Sequence, residues 1–185
     1  MGTTEVNPLS HYAADWLAKR AQLTPDRVAL IDYHSRSETT FAEWNARANR
    51  TANYLASLGV ARGDRVAVYA SNRAEYLDLF WAAPKIGAIL QNLNWRLTVH
   101  ELTGIVESGA PKVFVYSEDW RPQAEELKTS FSSVEHVVAM TSPGPGERDF
   151  AEREEMGDRP PDVPDLDLDD PWGIYYTGGT TGLPK

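Results

Sequence analysis

Arg65-Val66-Ala67-Val68-Tyr69-Ala70 is the stretch that decides the fold class. β-branched and aromatic residues dominate it and the turn Arg62-Gly63-Asp64 precedes it, which suits a buried strand. A helix is expected next, from about Arg73 to Ile86, with Ser71-Asn72 placed to cap it. It is so apolar from Leu77 to Ala83 that most of its circumference should be buried, and Pro84 implies a kink or an early end. Ala88 to Leu93 then reads as a strand. Thr98 and Glu101 have capping-box spacing, opening a helix that closes at Gly109. Lys112 to Tyr116 reads as a strand, Asp119 to Phe131 as a helix and His136 to Met140 as a strand. Helices alternating with strands are the pattern of a parallel sheet, so the expected class is α/β, a mostly parallel sheet flanked by helices.

Upstream, Leu9 to Leu23 has apolar residues at helical spacing and ends at Thr24-Pro25. Val28 to Asp32, a polar turn and Thr39-Thr40 fit a small hairpin. Thr40 and Glu43 form another capping box, whose helix carries Phe41, Trp44, Ala48, Leu55 and Leu58 inward until Gly59 stops it. Downstream, Thr141 to Pro171 loses apolar periodicity and reads as a surface loop or linker. From Glu147 to Asp170 it holds eleven acidic residues against Arg148, Arg153 and Arg159, so it carries -8 of the chain's net charge of -9. Trp172 to Tyr176 restores strand character. The expected division is an α/β unit over 1–140, an acidic Pro/Gly-rich segment over 141–171, and a strand with a terminal loop over 172–185.

Composition removes several function classes. The 185 residues are 42% apolar and 24% charged, ordinary for a globular protein. With no cysteine the chain has no disulfide, thiolate metal site or thiol nucleophile of its own. A pI near 4.9 without a basic stripe lacks the electrostatic footprint of a nucleic-acid binder. The longest apolar stretch, Leu77 to Leu90, is broken by Asp78, Pro84 and Lys85, so no membrane span is expected. The start, Met1-Gly2-Thr3-Thr4-Glu5-Val6, has neither a signal peptide nor a myristoylation pattern, and a cytoplasmic location is expected.

The chemical centre is Thr177-Gly178-Gly179-Thr180-Thr181-Gly182-Leu183-Pro184-Lys185. Its glycines let backbone amides turn toward one point, Thr177, Thr180 and Thr181 add hydroxyls, and Lys185 adds a positive charge. Directly after a strand, this composition is a phosphate cradle. It is not a Walker A loop, because Pro184 stands before the lysine and no Gly-Lys-Ser/Thr opens a helix.

Tyr176 to Lys185 resembles the signature loop of the adenylate-forming enzymes, the acyl-CoA synthetases, luciferases and nonribosomal adenylation domains. Gly178 stands where the usual pattern has Ser, a variation familiar among fatty-acyl-CoA ligases. The resemblance extends over essentially the whole chain, through Pro25-Asp26, Thr40 to Trp44, Gly63 to Val66, Leu79 to Gly87, Asn94 to Thr98 and Ser108-Gly109-Ala110. It implies the amino-terminal subdomain of a two-step ligase. A carboxylic acid, with a fatty acid suggested by Gly178, attacks ATP to give an acyl-adenylate and pyrophosphate, and the thiol of CoA then displaces AMP. By this resemblance Thr177, Gly178, Gly179, Thr180, Thr181 and Gly182 hold the β- and γ-phosphates, Lys185 neutralises charge, and no residue of the chain bonds covalently to substrate.

Family members run several hundred residues further. The parts that bind adenine and ribose, hold Mg2+, line the acyl pocket and supply the catalytic lysine belong downstream, so the 185 residues alone are expected to be inactive. Apolar surface left where those parts dock would favour self-association into a homo-oligomer. The alternative is a stand-alone module of this family that binds phosphate or a partner without catalysis.

Other polar candidates have plainer readings. His11, His34, His100 and His136 lack metal-ligand spacing. Glu125-Glu126 suits a solvated helix face. Asn94-Trp95-Arg96 reads as a buried Trp with a snorkelling Arg, the alternative being the lining of a substrate or subunit surface. Trp16, Trp44, Trp81, Trp120 and Trp172 read mainly as core or packing aromatics.

Overall fold

A computed structural model describes residues 15–33, 35–162, 166, 167 and 169–177. The leading helix is present as α1 (Trp16–Leu23), capped by the Asp15 carboxylate, which accepts from the Ala18 N–H at 2.9 Å. Residues 9–14 of the expected helix lie outside the described residues. β1 (Val28–Ile31) and β2 (Glu38–Thr40) form the antiparallel hairpin. Both capping boxes are present, Thr40 with Glu43 opening α2 (Phe41–Ser57) and Thr98 with Glu101 opening α4 (Val99–Gly109). In each, the hydroxyl accepts from the third residue's amide while the glutamate accepts from the cap's own N–H. Gly59 ends the α2 region at φ +78°.

Between them run β3 (Arg65–Tyr69), α3 (Ala74–Lys85) and β4 (Ile89–Leu93); after α4 come β5 (Val113–Tyr116), α5 (Arg121–Lys128) and β6 (His136–Ala139). With β7 (Arg148–Asp149) and β8 (Gly173–Ile174) the strands form one sheet in the order β7-β6-β5-β3-β4-β8, and every pairing is parallel. The sheet is α/β as expected, and the two-residue period of a strand sorts its core. Val66 and Val68 face Leu55, Leu79 and Ile86 of the α2–α3 layer. Ala67 and Tyr69 face Leu102, Ile105 and Leu127 of the α4–α5 layer. Leu77 is the single exposed residue of α3, whose circumference is otherwise covered.

Four expectations need correction. Ser71-Asn72 does not cap α3; Arg73 occupies the cap position without a side-chain cap bond, its guanidinium being taken up by Glu75 at 2.9 Å and Glu118 at 3.2 Å. Gly109 is not the left-handed residue that closes α4; Ala110 is, at φ +44°. Gly109 serves space instead, because a Cβ there would lie 2.1 Å from Gln91 Nε2. Trp16 is 60% exposed and touches Trp172 edge-on rather than filling a core.

The largest departure is inside the acidic segment. Residues 148–155 form edge strand β7 and a 3-10 helix (Phe150–Glu155), with Phe150 buried against Tyr54. α2 holds this segment through its own polar side chains: Tyr54 OH donates to Asp149 O at 3.2 Å, Asn49 to Asp158 O at 2.7 Å, and Asn53 to Gly157 O at 2.7 Å. Beneath it the buried Asp78 carboxylate accepts from Arg47 on Oδ1 at 2.9 Å and from Arg153 on Oδ2 at 2.8 Å. Burial thus selects Phe150 and Arg153 out of a stretch whose average composition is that of a loop.

Candidate phosphate-loop site

The chain enters β3 in the middle of the sheet, passes to β4 on one side and then crosses to β5 on the other. This reversal places a crevice at the carboxyl ends of β3 and β5, where open α/β sheets bind ligands. Arg73 and Glu118 span it with a 3.2 Å ion pair. On the far side of β4 the chain returns as β8, so Tyr175, Tyr176 and Thr177 emerge at the same end of the sheet.

The approach to β8 is fixed by packing. Asp170, hydrogen-bonded by the Asp167 N–H at 2.9 Å, takes Arg62 at 2.5 Å. Leu166 packs over Gly87, where an added Cβ would meet it at 2.8 Å. Trp172 donates from Nε1 to Phe80 O at 2.7 Å and lies on Phe80 and Trp81, with ring centroids 4.6 and 5.0 Å away. The Leu90 N–H then donates to Trp172 O at 2.9 Å, starting the register Leu90 with Gly173 and Gln91 with Ile174.

Two side-chain relays from β4 hold the end of β8 and the residues that follow it. Tyr76 OH donates to Asn92 Oδ1 at 2.5 Å, and Asn92 Nδ2 donates to Ile174 O at 3.3 Å. Burial pushes the Tyr76 phenol up to about 12, so at neutral pH it is a donor. On the other face Gln91 Nε2 donates to Ile105 O at 2.9 Å and to Tyr176 OH at 3.1 Å, and Tyr176 OH donates to the same Ile105 carbonyl at 3.2 Å.

Thr177 is therefore placed at the carboxyl edge of the sheet, next to the end of β4. Gly178, Gly179, Thr180, Thr181, Gly182 and Lys185 lie outside the described residues. The sequence signals Gln91, Asn92 and Tyr76 only through the Gln91-Asn92 pair inside an otherwise apolar strand. Asn94-Trp95-Arg96 follows β4 at this edge, with Trp95 stacked on Trp120 at 5.1 Å and exposed Arg96 over the Trp95 ring at 4.0 Å. That arrangement matches the snorkelling reading, except that Trp95 is only half-buried.

No cluster of three or more His, Asp or Glu among the described residues could hold a metal ion. A cavity of about 670 Å³ lies between the β1–β2 hairpin and the start of α3, where Arg47, Arg73 and Tyr76 reach its wall. Both guanidinium groups are already paired with carboxylates, Arg47 with Asp78 and Arg73 with Glu75 and Glu118. Among the described residues no helix is long and apolar enough to cross a membrane.

The AMP-binding enzyme family matches residues 17–185. The long-chain-fatty-acid–CoA ligase FadD13 of Mycobacterium tuberculosis is 33% identical over 171 residues, covering 91% of this chain and 33% of the relative. A long-chain-fatty-acid–CoA ligase of Thermus thermophilus is 34% identical over 175 residues, covering 92% and 32%. Among solved structures, a Mycobacterium tuberculosis fatty acyl CoA synthetase superposes with a TM-score of 0.82 at 30% identity, over 93% of this chain and 33% of that one. The anthranilate CoA ligase AuaEII, solved with anthranoyl-AMP, gives 0.87 at 25% identity, over 99% and 35%. The chain thus spans about a third of the length of the curated relatives it matches.

Proposed function

The chain belongs to the AMP-binding enzyme family, and from that premise we propose that it is the amino-terminal part of an AMP-forming acyl-CoA synthetase. The observation that carries the proposal is that a strand pinned to β4 brings Thr177, the first residue of the Gly/Thr/Lys sequence, to the carboxyl edge of a parallel sheet. Residues 1–140 supply most of the α/β unit, joined by β7 and the 3-10 helix from the acidic segment 141–171, and 172–185 the strand and terminal sequence.

In this reading a carboxylate oxygen of the substrate attacks the α-phosphorus of ATP, forming the acyl-adenylate as the bond to pyrophosphate breaks. The CoA sulfur then attacks the acyl carbonyl and AMP leaves. Charge gathers on the departing pyrophosphate, so amides and hydroxyls aimed at it stabilise the transition state more than the ground state. The backbone of Gly178, Gly179 and Gly182 and the hydroxyls of Thr177, Thr180 and Thr181 hold the β- and γ-phosphates, while Lys185 offsets the developing charge. Mg2+ would arrive with ATP and neutralise phosphate charge. The two long-chain-fatty-acid–CoA ligases among the relatives support a fatty acid as the carboxylic substrate.

The test is carboxylate-dependent exchange of labelled pyrophosphate into ATP by the protein made from its whole reading frame. Exchange with a fatty acid that falls about 100-fold or more in Thr180→Val or Lys185→Met supports the reading. Exchange unchanged in both variants removes the loop's assigned role.

A further inference from the structure

We infer that Gln91 is a positioning residue for the phosphate loop, acting through Tyr176, an inference that rests on the phosphate-binding reading of that loop. Gln91 is fully buried in β4, in the register position opposite Ile174. Its carboxamide points into the α4 layer, where the Ile105 carbonyl can only accept; the NH2 end must therefore face it. The second hydrogen of the same nitrogen goes to Tyr176 OH, one residue before the first loop threonine. Tyr176 closes the triangle by donating to Ile105 O.

The triangle exists because residue 109 is glycine. A Cβ at that position would lie 2.1 Å from Nε2 and 2.5 Å from the carboxamide carbon, expelling the group from its place. Gln91 Oε1 is buried with no partner among the described residues, a cost that an apolar side chain would not incur. The contribution of the carboxamide therefore lies in the two bonds its nitrogen makes, one to the scaffold helix and one to the residue that introduces the loop. β8 itself pairs over only two residues, Gly173 and Ile174, so the chain beyond it depends on side-chain anchors for its direction. Gln91 thus holds Tyr176, the residue from which the chain continues into the Gly/Thr/Lys sequence, and its loss is expected to weaken ATP binding.

The experiment compares Gln91→Met, Tyr176→Phe and the double variant with wild type, in the protein made from its whole reading frame. Tyr176→Phe removes a single hydroxyl and preserves the ring, so it keeps the test available if Gln91→Met does not fold. Amide hydrogen exchange over 173–177 is expected to quicken in each variant. KM for ATP is expected to rise about five- to tenfold, the worth of one net hydrogen bond, with KM for the carboxylic acid unchanged. The double variant is expected to be no worse than the worse single one, because both remove the same coupling. Exchange over 173–177 and KM for ATP that stay at wild-type values would overturn the inference, as would single effects that simply multiply. Wild-type protein unable to use or bind ATP would instead overturn the phosphate-loop reading, and the role assigned to Gln91 with it.

Discussion

Asp78 and Arg153 stand 75 residues apart in sequence and meet at 2.8 Å in the interior. The pair joins α3 to the 3-10 helix of the acidic segment, and Arg47 of α2 completes it on the other carboxylate oxygen. Arg153 also donates to Thr51 Oγ1 at 3.2 Å and lies over the Phe150 ring at 4.4 Å. Removing the carboxylate leaves two cations facing each other in a buried space. Asp78→Ala is expected to lower stability by about 3–5 kcal/mol, as when one partner of a buried ion pair is deleted. Urea denaturation measures this, and a loss under 1 kcal/mol (a rough surface-pair value) would mean that the network is a surface-like contact.

Glu147 makes the acid limb of stability predictable. Its buried carboxylate would be raised by desolvation, but Lys128 at 2.7 Å, the Gly144 N–H at 2.6 Å and Tyr116 OH at 2.8 Å outweigh that and hold it down at about 2. The folded state thus binds its proton less readily than the unfolded one. The stabilisation is complete above the ordinary value of 4.5 and is lost as pH falls from there through about 2. Unfolding free energy measured across that window should fall more steeply in wild type than in Glu147→Gln, by up to about 3 kcal/mol in total. Parallel curves for the two proteins would contradict the assignment.

The alkaline limb has the opposite sign. Burial pushes the Tyr54 and Tyr76 phenols up to about 12, and neighbouring Glu152 and Tyr175 charge adds to it. Folding therefore favours the neutral phenols; the benefit is complete below 10 and lost as pH rises through about 12. Ultraviolet titration of native protein should show these two phenolates appearing only near 12, and Tyr54→Phe and Tyr76→Phe should each remove one late-titrating group.

Gly109 and Gln91 should behave as one unit. Gly109→Ala forces Gln91 out of its bonds and is expected to cost about 1–3 kcal/mol, the usual range for overpacking. Shortening Gln91 to Ala in the same chain clears the space, so the double variant should lose less stability than the two single losses added together. Additive losses would show that the two sites do not share their space.

These cases also show what the sequence could and could not reveal. Thr40 with Glu43 and Thr98 with Glu101 are legible because both partners of a capping box lie within one turn. The α/β alternation is legible because strand and helix periodicities differ over a few residues. The 3-10 helix at 150–155 was not legible, because its burial depends on Asp78 and Tyr54, which the sequence places far away. Gly109 looked like a helix stop because glycine commonly is one; only the position of Gln91 shows that it makes room. Ser71-Asn72 had the composition of a cap, but Arg73 took the position and turned its side chain to carboxylates. At the site, the Gly/Thr/Lys composition of Thr177 to Lys185 is read from the sequence alone, whereas Gln91, Asn92 and Tyr76, which hold the chain up to Tyr176, become recognisable only once β8 is seen beside β4.

We propose that Thr177 to Lys185 holds the ATP phosphates while a carboxylic acid is adenylated. This is tested most directly by pyrophosphate–ATP exchange in the whole-frame protein, run with and without a fatty acid, in wild type and Lys185→Met. Acid-dependent exchange is expected in wild type, with a loss of about 100-fold or more in the variant. No exchange with any carboxylic acid, or equal exchange in both proteins, would contradict it.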